Sequence, residues 1–264
     1  MPFRQPHTLR FDAVANFRDL GGHRARDGRR VAAGRLFRSG HLGHASEKDR
    51  GRLAELGLRQ VFDFRTPRDI EIEGEDRLPS GVAQVLLPMR DPSTTKDLRG
   101  LIESSSPEQL KEIFGNGGAA ELMQRGAAGL VKTRCAQYAE FLARLAEPES
   151  FPALFHCSAG KDRAGWAGSV VLLALGIDEE EVIEQYLLSN RAADEIAART
   201  GGGVNVENWR GLLSPLLEVR REYVEASFEA VRVEYGDFDA YLRMGLEFSD
   251  AQRERLQTNL LEPA

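Results

Sequence analysis

The residues best suited to chemistry in this sequence lie in one short stretch, Phe155-His-Cys-Ser-Ala-Gly-Lys-Asp-Arg-Ala164. Cys157 is one of only two cysteines in the chain, and Arg163 follows it six residues later. A thiolate is a strong nucleophile, and a guanidinium group can hold two oxygens of an anion at once. The pair predicts a site where a cysteine attacks an anionic group, such as a phosphate, that an arginine holds.

The sequence on either side of this stretch predicts a strand, a tight loop and a buried helix. Phe151–Phe155 is a short apolar run, and Ala164–Leu175 is apolar almost all round. The unpaired N–H groups at the start of such a helix, together with its dipole, bind anions and favour a thiolate. Gly160 permits the torsions that a tight loop needs, and His156 is expected to hold the base of the loop. The predicted phosphate-binding loop consists of Ser158, Ala159, Gly160, Lys161, Asp162 and Arg163.

A proton donor for the leaving oxygen must be a carboxyl group near this loop, and two aspartates qualify. Asp162 lies inside the loop, which guarantees its proximity; the alternative is an exposed carboxylate that shapes the loop. Asp63 lies near the end of a predicted strand, at the edge where α/β proteins place their sites. Its alternative role is to support Arg163 from behind. Asp162 is favoured because the position of Asp63 depends on the strand order.

Short apolar runs alternate with amphipathic segments along the chain, which is typical of an α/β fold. The predicted strands are Arg35–Arg38, Leu58–Phe64, Val82–Leu87 and Phe151–Phe155. Ser46 is expected to cap a helix that closes at Gly57, between the first two strands. Further helices are predicted over Lys132–Ala146, Asp178–Asn190 and Pro215–Tyr235, followed by a last one capped by Ser249.

The 264 residues, 42% of them hydrophobic, can bury the core of one large domain. We predict a single domain over residues 1–264 with an insertion at about 91–130, where the composition shifts to Ser, Thr, Gly and charge. Ser106 and Pro107 predict the start of a short helix within it. The insertion is expected to form a mobile lid through scattered apolar residues, including Leu98, Leu101, Ile102, Ile113 and Phe114.

A net charge of −6 argues against non-specific nucleic-acid binding, which needs a basic surface. The N-terminal sequence lacks the apolar core of a secretory signal, and two cysteines form no disulfide framework. We therefore expect a cytoplasmic protein, or one that is secreted without a cleaved signal. No apolar stretch is long enough to span a bilayer, so stable membrane insertion is not expected. The oligomeric state stays open.

The loop motif and three upstream motifs together resemble the atypical bacterial protein tyrosine phosphatases. The upstream motifs are Asn16-Phe-Arg-Asp-Leu-Gly-Gly22, Arg38-Ser-Gly40 and Phe62-Asp-Phe-Arg-Thr66. The resemblance runs from about Asn16 into the C-terminal helices. It implies a mostly parallel sheet of four or five strands flanked by helices, a helical lid, no metal or other cofactor, and hydrolysis through a phosphocysteine that releases inorganic phosphate. The expected substrates are phosphorylated proteins, carrying phosphotyrosine and also phosphoserine or phosphothreonine.

Lys161 and Asp162 match a Lys-Asp pair that members of this family carry. In the family this pair is associated with a broad range of substrates that includes phosphoinositides. A dedicated phosphoinositide phosphatase is therefore one alternative, favoured by the charge that Lys161 is expected to add to the phosphate pocket. A phosphate-binding module without turnover is another. Most loops of this type carry Ser or Thr after the arginine, whose hydroxyl can donate to the sulfur. Ala164 stands there in this sequence.

Several residues keep two interpretations. Residues 16–22 either brace the loop or contact substrate, while Arg38 and Arg65 are expected to be solvated or structural rather than substrate ligands. Cys135 lies on an apolar helix face, which favours a place in the core; the alternative is a protective disulfide with Cys157.

Overall fold

The computed structural model describes residues 10–90, 101, 104–192 and 206–263. The strands are β1 (Arg18–Asp19), β2 (Arg30–Val31), β3 (Leu36–Ser39), β4 (Gln60–Asp63), β5 (Ala83–Leu86), β6 (Ala153–His156) and β7 (Leu261–Glu262). The principal helices are α1 (Glu47–Glu55), α2 (Pro67–Glu73), α3 (Pro107–Phe114), α4 (Gly118–Thr133), α5 (Cys135–Leu145), α6 (Arg163–Ala174), α7 (Glu179–Leu187), α8 (Val206–Leu217), α9 (Arg221–Tyr235) and α10 (Asp250–Leu260).

The central sheet has five strands in the order β1-β3-β6-β4-β5. Strands β3, β6, β4 and β5 are parallel, and β1 is antiparallel to β3. The predicted α/β fold with a mostly parallel sheet is therefore confirmed. Although α1 connects β3 to β4 in sequence, β6 lies between them. The register aligns Ser39, Asp63 and His156 at the carboxyl edge of the sheet.

Alternate residues of the central strands face two apolar cores, so helices cover both sides of the sheet. The smaller core joins Leu53 of α1 to strand residues Phe37, Val61 and Leu154. The larger core takes the strand residues that point the other way, together with nearly every side chain of α6. The apolar run after the loop is thus a buried helix, as its sequence predicts.

The predicted helix starts are largely confirmed, because Ser46, Ser106 and Ser249 each form a capping box. The continuous helix predicted over Pro215–Tyr235 is wrong. Pro215 lies inside α8, near its end, and α9 starts only at Arg221. The Asn190 side chain stabilises the break between the two helices, because it accepts from the N–H of Val219 and donates to the carbonyl of the same residue.

The segment predicted as a lid is described only in part, since residues 91–100, 102 and 103 lie outside the described chain. Its second half forms α3 and α4. Helix α4 packs into the larger core through Ala119, Leu122, Met123, Leu130 and Val131. This part of the segment therefore belongs to the core, and its mobility stays a prediction. In the described parts of the chain, no helix combines the length and apolar character needed to cross a membrane.

Candidate active site

The predicted loop connects the central strand to the buried helix. Cys157 follows β6 directly, is 2% exposed, and Arg163 begins α6. Asp162 occupies the N-cap position of α6 without a side-chain capping bond. Gly160 has a φ of +70°, and a Cβ atom there would lie 2.2 Å from the carbonyl oxygen of Ser39. Only glycine therefore fits this position.

Hydrogen bonds from outside the loop turn its carbonyl groups outward. The His41 N–H donates to the carbonyl of Ser158 at 2.9 Å, and the Asn16 side chain donates to the next two carbonyls at 3.1 and 3.0 Å. Arg38 donates to the carbonyls of residues 160 and 161 at 2.9 and 3.1 Å. In a planar trans peptide the N–H points opposite to the carbonyl. The N–H groups of residues 159–162 therefore point inward, as an anion cradle requires.

Arg163 is held at the same edge of the sheet by four partners. Its Nη1 donates to Asp69 Oδ2 at 2.7 Å and to the carbonyls of Phe64 and Met89 at 3.3 and 3.1 Å. Its Nη2 donates to Ser158 Oγ at 3.0 Å. Burial would raise the pKa of Asp69, but the charge of Arg163 outweighs it and the pKa is lowered. These bonds fix the guanidinium beside the loop.

Sequence reasoning missed Asp69. Its local signal was present, because Thr66 and Asp69 form a capping box at the start of α2. That pattern predicts a helix start but gives no indication of the arginine that lies beside it in the fold.

One side of the loop is held by a charge-balanced cluster of Asp63, Arg65, Asp76 and His156. Arg65 donates to Asp63 at 2.9 Å and to Asp76 at 2.8 Å, and His156 Nε2 lies 2.8 Å from Asp76. The other imidazole nitrogen lies 3.2 Å from the carbonyl oxygen of Cys157. Asp63, Asp76 and His156 bring possible metal-ligand atoms within 4.8 Å of one another, and in this structure these atoms form ion pairs with Arg65 and with each other.

The pKa values in this cluster favour its charged forms. Burial lowers the pKa of His156, but Asp76 and Asp63 outweigh it, so the net shift is upward. Burial likewise opposes the charge of Asp76, yet His156 and Arg65 bring its pKa down to about 2. A protonated His156 donates from both nitrogens, which holds the base of the loop as the sequence predicts.

The two aspartates considered as proton donors have different surroundings. The Asp63 carboxylate is fully buried and bound to Arg65, so its alternative role as the partner of Arg163 is wrong; that partner is Asp69. The side chain of Asp162 is 25% exposed and borders a small cavity that Trp166 and Tyr223 also line. Of the two aspartates, Asp162 therefore has the more accessible carboxylate.

Lys161 does not extend into the cradle. Its ammonium group donates to the carbonyls of Leu216 and Glu218 at 2.6 and 3.3 Å, at the end of α8, and lies 3.4 Å from Asp162. The residue is only 6% exposed. The expected addition of this charge to the phosphate pocket is not what the structure describes, because the ammonium group caps a helix end.

The opposite side of the loop contains two buried guanidinium groups, Arg18 and Arg38, which we call the arginine pair. Arg18 donates to Asn16 Oδ1 at 2.6 Å, and both arginines donate to Ser189 Oγ. A Cβ atom at Gly165 would lie 3.1 Å from the Arg38 guanidinium, so a small residue makes room for it. Asn16 thus braces the loop, and Arg38 is structural rather than solvated.

The sulfur atoms make few contacts. Among the described residues, none donates a hydrogen bond to the Cys157 sulfur, and Ala164 is fully buried at the start of α6. Both cysteines are free, so the alternative of a disulfide between them is not realised in this structure. The Cys135 sulfur instead lies 3.0 Å from the carbonyl oxygen of Val131 and 3.5 Å from the hydroxyl of Tyr235.

Comparisons with known proteins agree with this geometry. The profile of the tyrosine phosphatase family matches residues 9–262. A Cupriavidus necator protein, named as an inferred tyrosine-protein phosphatase, is 36% identical over 254 residues, or 93% of this chain and 86% of that protein. The triple specificity protein phosphatase PtpB of Mycobacterium tuberculosis is 28% identical over 86% of this chain and 90% of PtpB.

Among solved structures, the catalytic core of Siw14 aligns with a TM-score of 0.36 at 11% identity, covering 80% of this chain and 95% of that one. A likeness at this level carries no weight beside the family match. With the profile matching nearly the whole chain, the protein belongs to the tyrosine phosphatase family and is a phosphatase.

Proposed function

We propose that the protein hydrolyses phosphomonoesters on phosphorylated proteins through a phosphocysteine intermediate. The Cys157 thiolate attacks phosphorus, so that an S–P bond forms while the bond to the leaving oxygen breaks. Arg163 and the loop N–H groups stabilise the charge on the phosphoryl oxygens. Water then cleaves the S–P bond and releases inorganic phosphate. The observation that carries this proposal is the outward orientation of four successive loop carbonyls, with Arg163 fixed beside them.

We assign the protonation of the leaving oxygen to Asp162. Its side chain is partly exposed at the loop, whereas the carboxylate of Asp63 already accepts hydrogen bonds from Arg65 inside the protein. In the hydrolysis step the same carboxylate can take a proton from the attacking water.

The proposed substrates are phosphotyrosine, phosphoserine and phosphothreonine in proteins. The name of PtpB, a triple specificity protein phosphatase, supports a broad range for this relative. The alternative of a dedicated phosphoinositide phosphatase loses its main support, because the ammonium group of Lys161 is bound to the end of α8. A module that binds phosphate without turnover stays the second alternative, against which the intact Cys157 and Arg163 weigh.

Turnover of a generic aryl phosphate by two variants tests the proposal. We expect Cys157→Ser to lose at least about 1000-fold in kcat while largely keeping phosphate binding, since the cradle is mostly backbone. Arg163→Ala should lose both turnover and phosphate binding. Cys135→Ser is the matched control, because it changes the other cysteine and should keep turnover. Comparable hydrolysis by Cys157→Ser and the wild-type protein would contradict the covalent mechanism.

The role of Asp162 is tested by leaving-group dependence. Asp162→Asn should slow the hydrolysis of alkyl phosphates, which are poor leaving groups, by about 100-fold or more, and that of activated aryl phosphates far less. The variant should also lose the basic limb of the pH–rate profile. If both substrates slow equally, another group supplies the proton.

A further inference from the structure

The arginine pair is unusual because it is buried without a carboxylate. Arg18 and Arg38 are 3% and 0% exposed, and their hydrogen-bond acceptors are carbonyl, amide and hydroxyl oxygens. Neither has a carboxylate partner among the residues that the structure describes. Burial lowers the pKa of Arg38 to about 10, and burial and the charge of Arg38 also lower that of Arg18. Arginine nonetheless stays charged in proteins, so this side of the loop carries two uncompensated cations.

The other charges around Cys157 largely cancel. Beneath the loop, the cluster of Asp63, Arg65, Asp76 and His156 contains two carboxylates and two cations. On the α2 side, Arg163 pairs with Asp69.

The remaining titratable neighbours include one more carboxyl group, that of Glu73, which lies 3.6 Å from Arg65. Within the loop, the ammonium group of Lys161 lies 3.4 Å from Asp162. Burial and the nearby Asp69 charge raise the pKa of Glu73 on α2, and burial raises that of Tyr186 on α7 well above its ordinary value. The net positive charge around the loop therefore comes from the arginine pair, with the exposed Arg191 adding to it.

Gln185 on α7 gives a second, independent observation. Its Oε1 accepts from Arg38 Nη1 at 3.2 Å, while its Nε2 is buried without a hydrogen-bond partner. Glutamate has nearly the same shape, would pair with Arg38, and would remove the unsatisfied amide group. The sequence therefore has a neutral side chain where a carboxylate would make the better local bond, which is the pattern expected when stability is given up for function.

We propose that Arg18 and Arg38 are positioning residues that act as the counter-charge for the Cys157 thiolate and for the bound phosphate, from behind the loop. Gln185 stays neutral so that this charge is not cancelled. The inference rests on the proposed function, because it assigns a supporting role to the same site. The inference predicts that a new carboxylate beside Arg38 weakens phosphate binding and the stabilisation of the Cys157 thiolate, even though the carboxylate improves packing and hydrogen bonding.

Gln185→Glu is the decisive variant, and Gln257→Glu is its matched control. Gln257 is partly buried, accepts a hydrogen bond from Arg29 at 3.3 Å and donates to the carbonyl of Ala174 at 3.2 Å, so the control adds the same charge beside an arginine away from the loop. Alkylation of Cys157 by iodoacetamide is measured against pH through the mass of its peptide, with Cys135 as the internal reference. Competition by inorganic phosphate measures the affinity of the cradle.

For Gln185→Glu we expect the midpoint of Cys157 alkylation to rise by about one pH unit and phosphate affinity to fall about 10-fold. The thermal unfolding midpoint should stay the same or rise. Gln257→Glu should change neither the alkylation midpoint nor phosphate affinity. A folded Gln185→Glu protein with both quantities unchanged would overturn the inference.

Arg18 offers a second pair of variants if Gln185→Glu does not fold. Arg18→Lys keeps the charge but not both the Asn16 and the Ser189 contacts, so its shifts in alkylation midpoint and phosphate affinity should be clearly smaller than those of Arg18→Gln. Arg18→Gln should shift both quantities as Gln185→Glu does. Equal effects from both substitutions would overturn the electrostatic role. Neither measurement needs turnover, so these outcomes are separate from the Cys157→Ser experiment that tests the proposed function.

Discussion

Two buried polar regions flank the loop from Cys157 to Arg163, and they differ in charge balance. The cluster of Asp63, Arg65, Asp76 and His156 pairs every cation with a carboxylate. The arginine pair on the other side has only neutral acceptors. Both regions hold loop carbonyls in place, yet only one of them contributes a net charge.

This difference separates two tasks that buried polar residues perform. A balanced network holds the loop in its geometry. Removing one partner leaves the other as an unpaired charge in the low-dielectric interior. A buried charge without a counter-charge lowers the stability of the ligand-free protein, and the binding of an anion offsets this loss. Substitutions in the balanced cluster should therefore mainly lower stability, whereas substitutions in the arginine pair should mainly weaken anion binding.

The largest expected effect comes from comparing Arg65→Met with Arg38→Met. Arg65→Met leaves two buried carboxylates with only His156, so we expect the free energy of unfolding to fall by about 3–5 kcal/mol. Arg38→Met removes an uncompensated charge along with its hydrogen bonds to the loop, so its stability loss should be smaller and its loss of phosphate affinity larger. Urea denaturation and phosphate competition on both variants measure these quantities. A larger stability loss for Arg38→Met would contradict the distinction between the two regions.

The pH dependence of stability should come from the balanced cluster. The pKa of Asp76 is lowered from 3.8 to about 2, so its contribution is present above pH 3.8 and is lost as the pH falls toward 2. The pKa of His156 is raised above 6.5, so its contribution is complete below pH 6.5 and is lost as the pH rises through the higher folded value. This cluster should therefore stabilise the protein most between about pH 4 and 6.5.

The comparison of wild type with Asp76→Asn isolates this effect. The difference in their free energies of unfolding should shrink by about 2 kcal/mol between pH 5 and pH 2, because the wild-type carboxylate becomes protonated. Asp178→Asn, which removes an exposed carboxylate paired with Arg26, is the surface control. A constant difference for Asp76→Asn across this range would contradict the assignment.

The smallest expected effect concerns Ala164, where a hydroxyl would give the Cys157 sulfur a hydrogen-bond donor, which it lacks among the described residues. Expulsion of the sulfur from phosphocysteine should be slow without that donor, so phosphoenzyme should accumulate. We expect Ala164→Ser to raise steady-state turnover about 10-fold and to reduce the pre-steady-state burst, since one hydrogen bond to a charged sulfur is worth roughly 1.5–3 kcal/mol. Rapid-quench kinetics on both proteins measure this. Unchanged turnover with no burst in either protein would leave the missing hydroxyl without consequence.

The features that the sequence predicts well are local ones. The strand before Cys157 and the buried helix after Arg163 depend on neighbouring residues. The positive φ of Gly160 is also local, although the contact with Ser39 that likewise requires glycine is not. The serine caps at residues 46, 106 and 249 again depend on neighbouring residues. Local propensities and capping bonds involve residues within a few positions, so the pattern alone is sufficient.

The partners of the charged residues could not be predicted this way. Asp69 pairs with Arg163 across 94 positions, and Lys161 caps α8 from 55 positions away. Pro215 likewise suggested a helix start, although it lies inside a helix whose end is held by Asn190. Each of these depends on contacts between distant segments.

By itself the sequence determined the α/β class and the loop between β6 and α6 that begins at Cys157 and ends at Arg163, because these follow from residue type and short spacing. Only the tertiary structure decided which charges surround that loop. Insertion of β6 between β3 and β4 brings Arg38 to one side of the central strand and Asp63 to the other. Charge balance in a low-dielectric interior depends on such through-space distances, which the order of residues along the chain does not fix.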